Sequence, residues 1–164
     1  MATYRRETYV DAPFADVWAF HATTDGLEAL TPGFVNLEVE AVTGPDGDAD
    51  PEELDAGARI ELSVRPFGIG PRRRVVSVIT DREYGDGAGM FRDVMASGPF
   101  AEWEHTHRFF ADGDGTRLVD HVRYDLPGGA LGRAVSPFGR IGLEPMFRGR
   151  HRTTKEILEE HSGT

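Results

Sequence analysis

The segment Phe91–Phe109 constrains the fold of this chain most, because two alternating runs flank a Gly98-Pro99 turn. In the second run, charged or polar side chains alternate with a set made up of Trp103, His105, His107 and Phe109. Period-two alternation places successive side chains on opposite faces of a β-strand. The segment is therefore predicted to form two antiparallel strands. One face of the second strand is apolar but carries two histidines, which is more typical of a ligand cavity than of a closed core.

The length and composition predict one domain over residues 1–164 and exclude several kinds of site. The chain has no cysteine, so disulfides, thiolate metal sites and cysteine nucleophiles are excluded. No apolar run approaches the roughly 20 residues that a membrane span requires. The first residues, Met1–Arg6, lack the apolar core of a signal peptide. We expect a soluble, cytoplasmic protein without a membrane span.

The charge balance is strongly acidic, with 28 Asp and Glu against 18 Lys and Arg and a net charge of -10. Lys155 is the only lysine, which fits either adaptation to high salt or a GC-rich genome that favours arginine codons. The acidic excess predicts that nucleic acid is not a partner, because phosphate binding needs a basic surface. The only basic run, Arg72–Arg74, is interpreted as the start of a solvated strand.

The order of elements predicts an α+β domain. A first strand is followed by a short helix with apolar residues at helical spacing, a further turn or two of helix, and then only strands up to Pro127. The predicted strands are 3–11, 34–42, 59–64, 73–80, the two strands around Gly98-Pro99, and 116–126. The acidic loop 44–53 does not match the spacing of a calcium loop and is interpreted as solvated. Pro137 and Pro145 are expected to interrupt the C-terminal helical region, leaving a longer helix over about 144–160. We expect a curved antiparallel sheet of about six or seven strands wrapped around this helix, with one or two short helices after strand one.

Several short motifs in this order resemble the START-like, or SRPBCC, superfamily with its helix-grip fold. They are Ala12-Pro13-x4-Trp18, Leu30-Thr31-Pro32, Gly98-Pro99-Phe100-x2-Trp103-x-His105-x-His107-x-Phe109, Gly115-Thr116-x3-Asp120-x3-Tyr124-x2-Pro127 and Phe147-x2-Arg150. The branch that the chain resembles is the polyketide cyclase/dehydrase and lipid-transport group. The resemblance implies a hydrophobic ligand in a cavity between the sheet and the C-terminal helix. The acidic loop and the interrupted final helix depart from the family pattern.

Hairpin geometry predicts which side chains share a face. A four-residue turn at Asp112–Gly115 pairs strand 102–111 with strand 116–125, and a turn at Ser97–Ala101 pairs it with the preceding strand. Cross-strand partners share a face, so one face is expected to hold nine residues. These are Phe91, Asp93, Met95, Trp103, His105, His107, Asp120, Val122 and Tyr124.

Two His-Asp pairs on this face leave three interpretations open. In the first, each pair is structural, because a carboxylate that accepts from an imidazole N–H gives both buried groups a hydrogen-bond partner. In the second, the pairs perform general acid-base chemistry, with His105 or His107 as base and Asp93 or Asp120 as orienting group. In the third, His105, His107 and a carboxylate bind a metal. The resemblance does not imply a metal, and no cofactor is expected. The residues assigned to ligand binding are Phe91, Met95, Phe100, Trp103, Val122, Tyr124, Phe147 and Arg150. Arg148 is considered with Arg150 as a partner for an anionic ligand group, and Trp18 and Phe14 are assigned to the core.

The favoured function is binding or carriage of one hydrophobic small molecule, such as a lipid, isoprenoid, quinone or polyketide. One alternative is a cyclase or dehydratase that uses the same cavity. A second alternative is a protein-interaction or stress-response module. The sequence leaves the oligomeric state open.

Overall fold

One antiparallel sheet of seven strands forms the frame of residues 1–162, the part of the chain that this computed structural model describes. The strands are β1 Ala2–Val10, β2 Glu38–Thr43, β3 Arg59–Val64, β4 Arg73–Gly85, β5 Ala88–Ser97, β6 Glu102–Asp112 and β7 Gly115–Asp125. The helices are α1 Phe14–His21, α2 Thr24–Leu30, α3 Gly129–Val135 and α4 Arg140–Ser162. Two short helices after β1 and a long C-terminal helix against a curved sheet confirm the predicted fold class.

The strand order is β1-β7-β6-β5-β4-β3-β2, so β5 and β6 lie near the centre of the sheet. The predicted register is confirmed for both hairpins: Trp103 lies opposite Tyr124, His107 lies between Phe91 and Asp120, and His105 lies opposite Asp93. The ladder between β5 and β6 ends at Val94 and Glu104, before the predicted pair of Met95 and Trp103. The end of β5 follows β4 instead, through a bulge between Met95 and Ser97.

Helix α4 begins about four residues earlier than predicted, because Pro145 does not interrupt it. Proline lacks an N–H, so the carbonyl of Ile141 loses its usual helical partner. Ile141 is 74% exposed and Pro145 is also exposed, so water can serve as the partner that this carbonyl loses. The other proline, Pro137, lies in the first turn of a 3-10 helix, Ser136–Gly139, where a missing N–H costs little.

Two strand boundaries also differ from the sequence prediction. Strand β2 begins at Glu38 rather than at residue 34, because Gly33–Val35 forms a 3-10 turn and Asn36 adopts a left-handed conformation with φ of 49°. Strand β4 continues to Gly85 rather than ending at residue 80, and the turn to β5 contains Gly87 with φ of 75°. Within residues 1–162, no helix has the length and apolar character needed to cross a membrane.

Helix α1 is fixed to the sheet by Trp18, as predicted for a core residue. Trp18 is buried with Val10, Phe109 and Leu118, and Phe14 packs against the edge of this cluster. The basic run at the start of β4 is tied to neighbouring strands, since Arg72 pairs with Glu38 at 2.6 Å and Arg74 pairs with Glu61 at 2.8 Å.

Candidate functional site

A cavity of about 780 Å³ lies between the sheet and the first half of α4. Its sheet side is formed by β3 to β6, with apolar residues such as Leu62, Ile79 and Met95. Its other side is formed by α4, through Leu143, Met146, Phe147 and Arg150. The walls are mostly apolar, and the volume falls within the range of about 300–1,000 Å³ that small-molecule sites occupy.

Aromatic side chains mark one end of the cavity. Phe34 and Phe67 both line it and stack on each other with ring centroids 5.3 Å apart. Phe67 is 72% exposed and has φ of 56°, a conformation that non-glycine residues rarely adopt. Ile141, at the start of α4, also lines the cavity and is largely exposed. The cavity therefore reaches solvent past an apolar rim.

The structure places most of the predicted ligand-binding residues on the cavity wall. The residues that line it are Phe91, Met95, Phe100, Trp103, Phe147 and Arg150. Val122 and Tyr124 share the predicted face but lie under α4, outside the cavity wall, and both are fully buried. The Tyr124 hydroxyl donates a hydrogen bond of 2.8 Å to the carbonyl of Ser136, so it packs and anchors the 3-10 helix.

The four predicted polar residues form one cluster at the floor of the cavity. His105 Nε2 lies 2.7 Å from Asp120 Oδ1 and donates a hydrogen bond to it, and His107 Nδ1 lies 3.0 Å from the same oxygen. On the other side of the rings, Asp93 Oδ2 lies 3.4 Å from His107 Nε2 and 3.7 Å from His105 Nδ1. Ser77 donates a hydrogen bond of 3.1 Å to the other oxygen of Asp93. Asp93, His105 and His107 line the cavity, whereas Asp120 lies behind them.

A third histidine, which the sequence analysis missed, completes the surroundings of Asp120. His151 Nε2 donates to Asp120 Oδ2 at 2.5 Å from α4, and His151 is buried. Its other nitrogen, Nδ1, is buried without a hydrogen-bond partner in the described part of the chain. The signal that could have found it is helical spacing: the buried face of α4 is formed by Leu143, Phe147, His151, Thr154 and Leu158.

The cluster shifts the pKa values of the two cavity histidines, His105 and His107, in opposite directions. Burial opposes ionisation of Asp120, but contacts with three imidazoles hold its pKa well below the usual value. Burial also opposes a charge on Asp93, but His107, His105 and Ser77 keep its pKa lowered. Burial would lower the pKa of His107, yet Asp120 and Asp93 outweigh it and raise that pKa. Burial and the nearby His107 lower the pKa of His105. Two neighbouring imidazoles with opposite shifts can act as base and acid.

Arg150 places a guanidinium inside the cavity. Within residues 1–162 its guanidinium has no ion pair or side-chain hydrogen bond, and burial lowers its pKa although Asp120 and Asp93 oppose this. Arg148, which was considered with it, is exposed and lies at an outer groove beside Arg6 and His151. Two residues along the helix therefore separate a cavity arginine from a solvated one.

His21 is a further histidine on the cavity wall for which the sequence offered no pattern. Its Nδ1 donates to the carbonyl of Val17 at 2.7 Å, and its ring lies 4.9 Å from that of Phe109. Burial lowers the pKa of His21 to about 3, so this ring is neutral at physiological pH.

Comparison with known proteins agrees with the geometry. The family model described as "Polyketide cyclase / dehydrase and lipid transport" matches residues 1–159. A search of curated proteins found no match. Among solved structures, protein TTHA0849 from Thermus thermophilus is 21% identical with a TM-score of 0.62, and the match covers 98% of this chain and 99% of that one.

Two further structures show the same fold in proteins whose names describe an activity or a pathway. A norcoclaurine synthase from Thalictrum flavum, bound to a transition state analogue, is 15% identical with a TM-score of 0.68, over 98% of this chain and 95% of that one. The di-domain ARO/CYC StfQ of the steffimycin biosynthetic pathway is 13% identical with a TM-score of 0.66, over 99% of this chain and 52% of that one. At these identities the similarity establishes the fold alone.

Proposed function

Because the chain belongs to the polyketide cyclase/dehydrase and lipid transport family, we propose that it binds and carries one hydrophobic small molecule in its internal cavity. The observation that carries this proposal is the apolar cavity of about 780 Å³ between the sheet and α4. Burial of apolar surface contributes about 25 cal/mol per Å² and would supply most of the affinity. A lipid, isoprenoid, quinone or polyketide has suitable chemistry.

The polar groups of the cavity narrow the ligand class. Arg150 carries a positive charge without a partner among residues 1–162, in a cavity whose walls are otherwise mostly apolar. Arg150 is half-buried, and a charge that is partly withdrawn from water is costly until it is paired. We therefore propose that the ligand carries one anionic or strongly hydrogen-bond-accepting group, which lies against Arg150.

Titration with two naphthalene dyes tests this proposal. Anilinonaphthalene sulfonate carries an anionic group and N-phenyl-1-naphthylamine is neutral, and both fluoresce when they leave water. We expect both dyes to bind the wild-type protein with one site per chain. Met95→Trp should weaken both, because Met95 lines the cavity and the larger indole would occupy part of the space that each dye enters. Arg150→Gln should weaken only the anionic dye.

Arg148→Gln is the matched control, since it removes the same charge from the outer surface of the same helix. It should leave both titrations unchanged. Equal affinities in the wild type and in the Met95→Trp and Arg150→Gln variants would show that the dyes bind elsewhere and would contradict the proposal. Independently of the dyes, native mass spectrometry of freshly purified protein would identify any molecule that the cavity carries from the cell.

The opposite pKa shifts of His105 and His107 favour a second candidate function, a cyclase or dehydratase. In this function His105 would accept a proton from the ligand, and His107, held by Asp93 and Asp120, would return one. An enzyme would lose turnover in His105→Gln while it still bound the dyes. A carrier would lose neither dye binding nor ligand transfer in that variant.

A further inference from the structure

The orientation of the two cavity imidazoles resembles that of metal ligands. Asp120 lies against Nε2 of His105 at 2.7 Å and Nδ1 of His107 at 3.0 Å, so each ring directs one nitrogen away from the cavity. An N–H directed to a carboxylate fixes the tautomer and leaves the lone pair on the other nitrogen. Carboxylates often orient metal-binding histidines in this way.

The two remaining nitrogens face one oxygen at a spacing that fits a shared ion. His107 Nε2 and His105 Nδ1 lie 3.4 Å and 3.7 Å from Asp93 Oδ2, and the ligand atoms of the three residues all lie within 4.8 Å of one another. Hydrogen bonds from nitrogen to oxygen are commonly about 2.7–3.2 Å, so these separations are long for direct bonds. Ligand atoms about 2.0–2.1 Å from one zinc ion lie roughly 3.4 Å apart at tetrahedral angles.

The remaining features of the cluster are compatible with a divalent ion. Ser77 holds the other oxygen of Asp93 and leaves Oδ2 directed at the imidazoles. Asp93 faces the imidazoles as a carboxylate, and Asp120 lies behind them as a second carboxylate. All three ligand residues line the cavity, so further coordination positions would face the bound molecule.

We propose that Asp93, His105 and His107 form a binding site for a divalent transition-metal ion at the floor of the cavity, oriented by Asp120. Two imidazoles and one carboxylate suit Zn²⁺ or Fe²⁺. The ion would present an open position to an oxygen of the ligand, in the same cavity that Arg150 lines from α4. The proposal does not depend on which hydrophobic molecule occupies the cavity.

Titration of chelator-treated protein with Co²⁺ tests the site, because the visible absorption of Co²⁺ reports its ligands. We expect one Co²⁺ per chain, displaced by Zn²⁺, and a rise in the thermal midpoint when Zn²⁺ is added. Asp93→Asn and His107→Gln should each weaken Co²⁺ binding by about tenfold or more and abolish the rise with Zn²⁺.

His121→Gln is the matched control, because His121 neighbours Asp120 on β7 but points to the other face of the sheet. It should bind Co²⁺ like the wild type. Binding of N-phenyl-1-naphthylamine by Asp93→Asn checks that this variant is folded, independently of metal. Absence of Co²⁺ binding by the wild type, equal affinity in all variants, or loss of binding only in His121→Gln would overturn the proposal.

Discussion

Asp120 is the residue that joins the sheet to α4 at the floor of the cavity. Its two oxygens contact His105 and His107 from β6 and His151 from α4, and all four side chains are buried. An isolated buried carboxylate would be very unfavourable, but contacts with three imidazoles compensate for the lost hydration. The same contacts fix the rings, so a structural role and a functional role for this cluster are compatible.

His21 should make stability depend on pH. Its folded-state pKa of about 3 lies below its ordinary value of 6.5, because burial disfavours the charged ring. The unfolded chain therefore binds more protons between these values, and stability should fall as pH decreases from about 6.5 towards 3. The contribution is on the order of a few kcal/mol. His21→Phe should lose less unfolding free energy than the wild type between about pH 7 and pH 4.5 in urea titrations.

His161→Phe is a close control for this measurement. His161 makes the same contact as His21, from Nδ1 to the carbonyl four residues earlier, but on an exposed part of α4. The unfolding free energy of the His161→Phe variant should change with pH as that of the wild type does. Parallel behaviour of His21→Phe as well would mean that the buried ring does not control acid stability.

Residues on strands were more predictable than residues on helices. The sequence predicted that four polar residues share one face, because two short hairpins fix the register and alternation then fixes the face. These residues are Asp93, His105, His107 and Asp120. Helical spacing could have placed His151 on the buried face of α4, but no local rule indicates that this turn of the helix lies over Asp120 on β7. The separation of Arg150 from Arg148 depends on the same helical rotation.

At the scale of elements, α1 rests on the hairpin of β4 and β5 through one close contact. A Cβ added to Gly89 would lie 2.6 Å from the Trp18 ring. That ring is also surrounded by Tyr84, Phe91 and Phe109, so it has little room to move. The absence of a side chain at Gly89 allows the helix to lie directly on the sheet.

Gly89→Ala should therefore destabilise the protein by about 1–3 kcal/mol, because the Trp18 ring must shift within a packed cluster. Gly85→Ala is the matched substitution in the same hairpin, where an added Cβ has nothing within 4 Å. It should leave stability unchanged or slightly higher. Urea unfolding of both variants gives the comparison, and equal stabilities would contradict this account of how α1 docks.

The boundaries of elements were predicted less well than their order. The seven strands and the two short helices followed from alternation and helical spacing. The helix through Pro145 did not, since proline usually interrupts a helix and only the exposure of Pro145 and Ile141 explains its tolerance. The late start of β2 depends on the left-handed Asn36, which alternation does not detect.

At the scale of the whole molecule, the apolar cavity and the acidic surface both lower the stability of the folded state, the first through lost packing and the second through charge repulsion. Side chains that line a cavity of about 780 Å³ lack the packing contacts of a closed core, so they contribute less dispersion energy to the folded state. The net charge of -10 adds self-repulsion to the folded state. Screening of that repulsion should therefore have a measurable effect on stability.

We expect the thermal midpoint to rise between about 0.1 M and 1 M NaCl, because the Debye length falls from about 10 Å to 3 Å. Asp46 and Asp48 lie on the exposed acidic loop, and neither has an ion pair among residues 1–162. The double variant Asp46→Asn, Asp48→Asn should raise the midpoint at low salt and flatten its dependence on NaCl. Arg148→Gln changes the net charge in the opposite direction on the surface of α4 and should steepen that dependence. Differential scanning calorimetry of the three proteins gives the slopes, and identical slopes would mean that salt acts through hydrophobic burial rather than through charge.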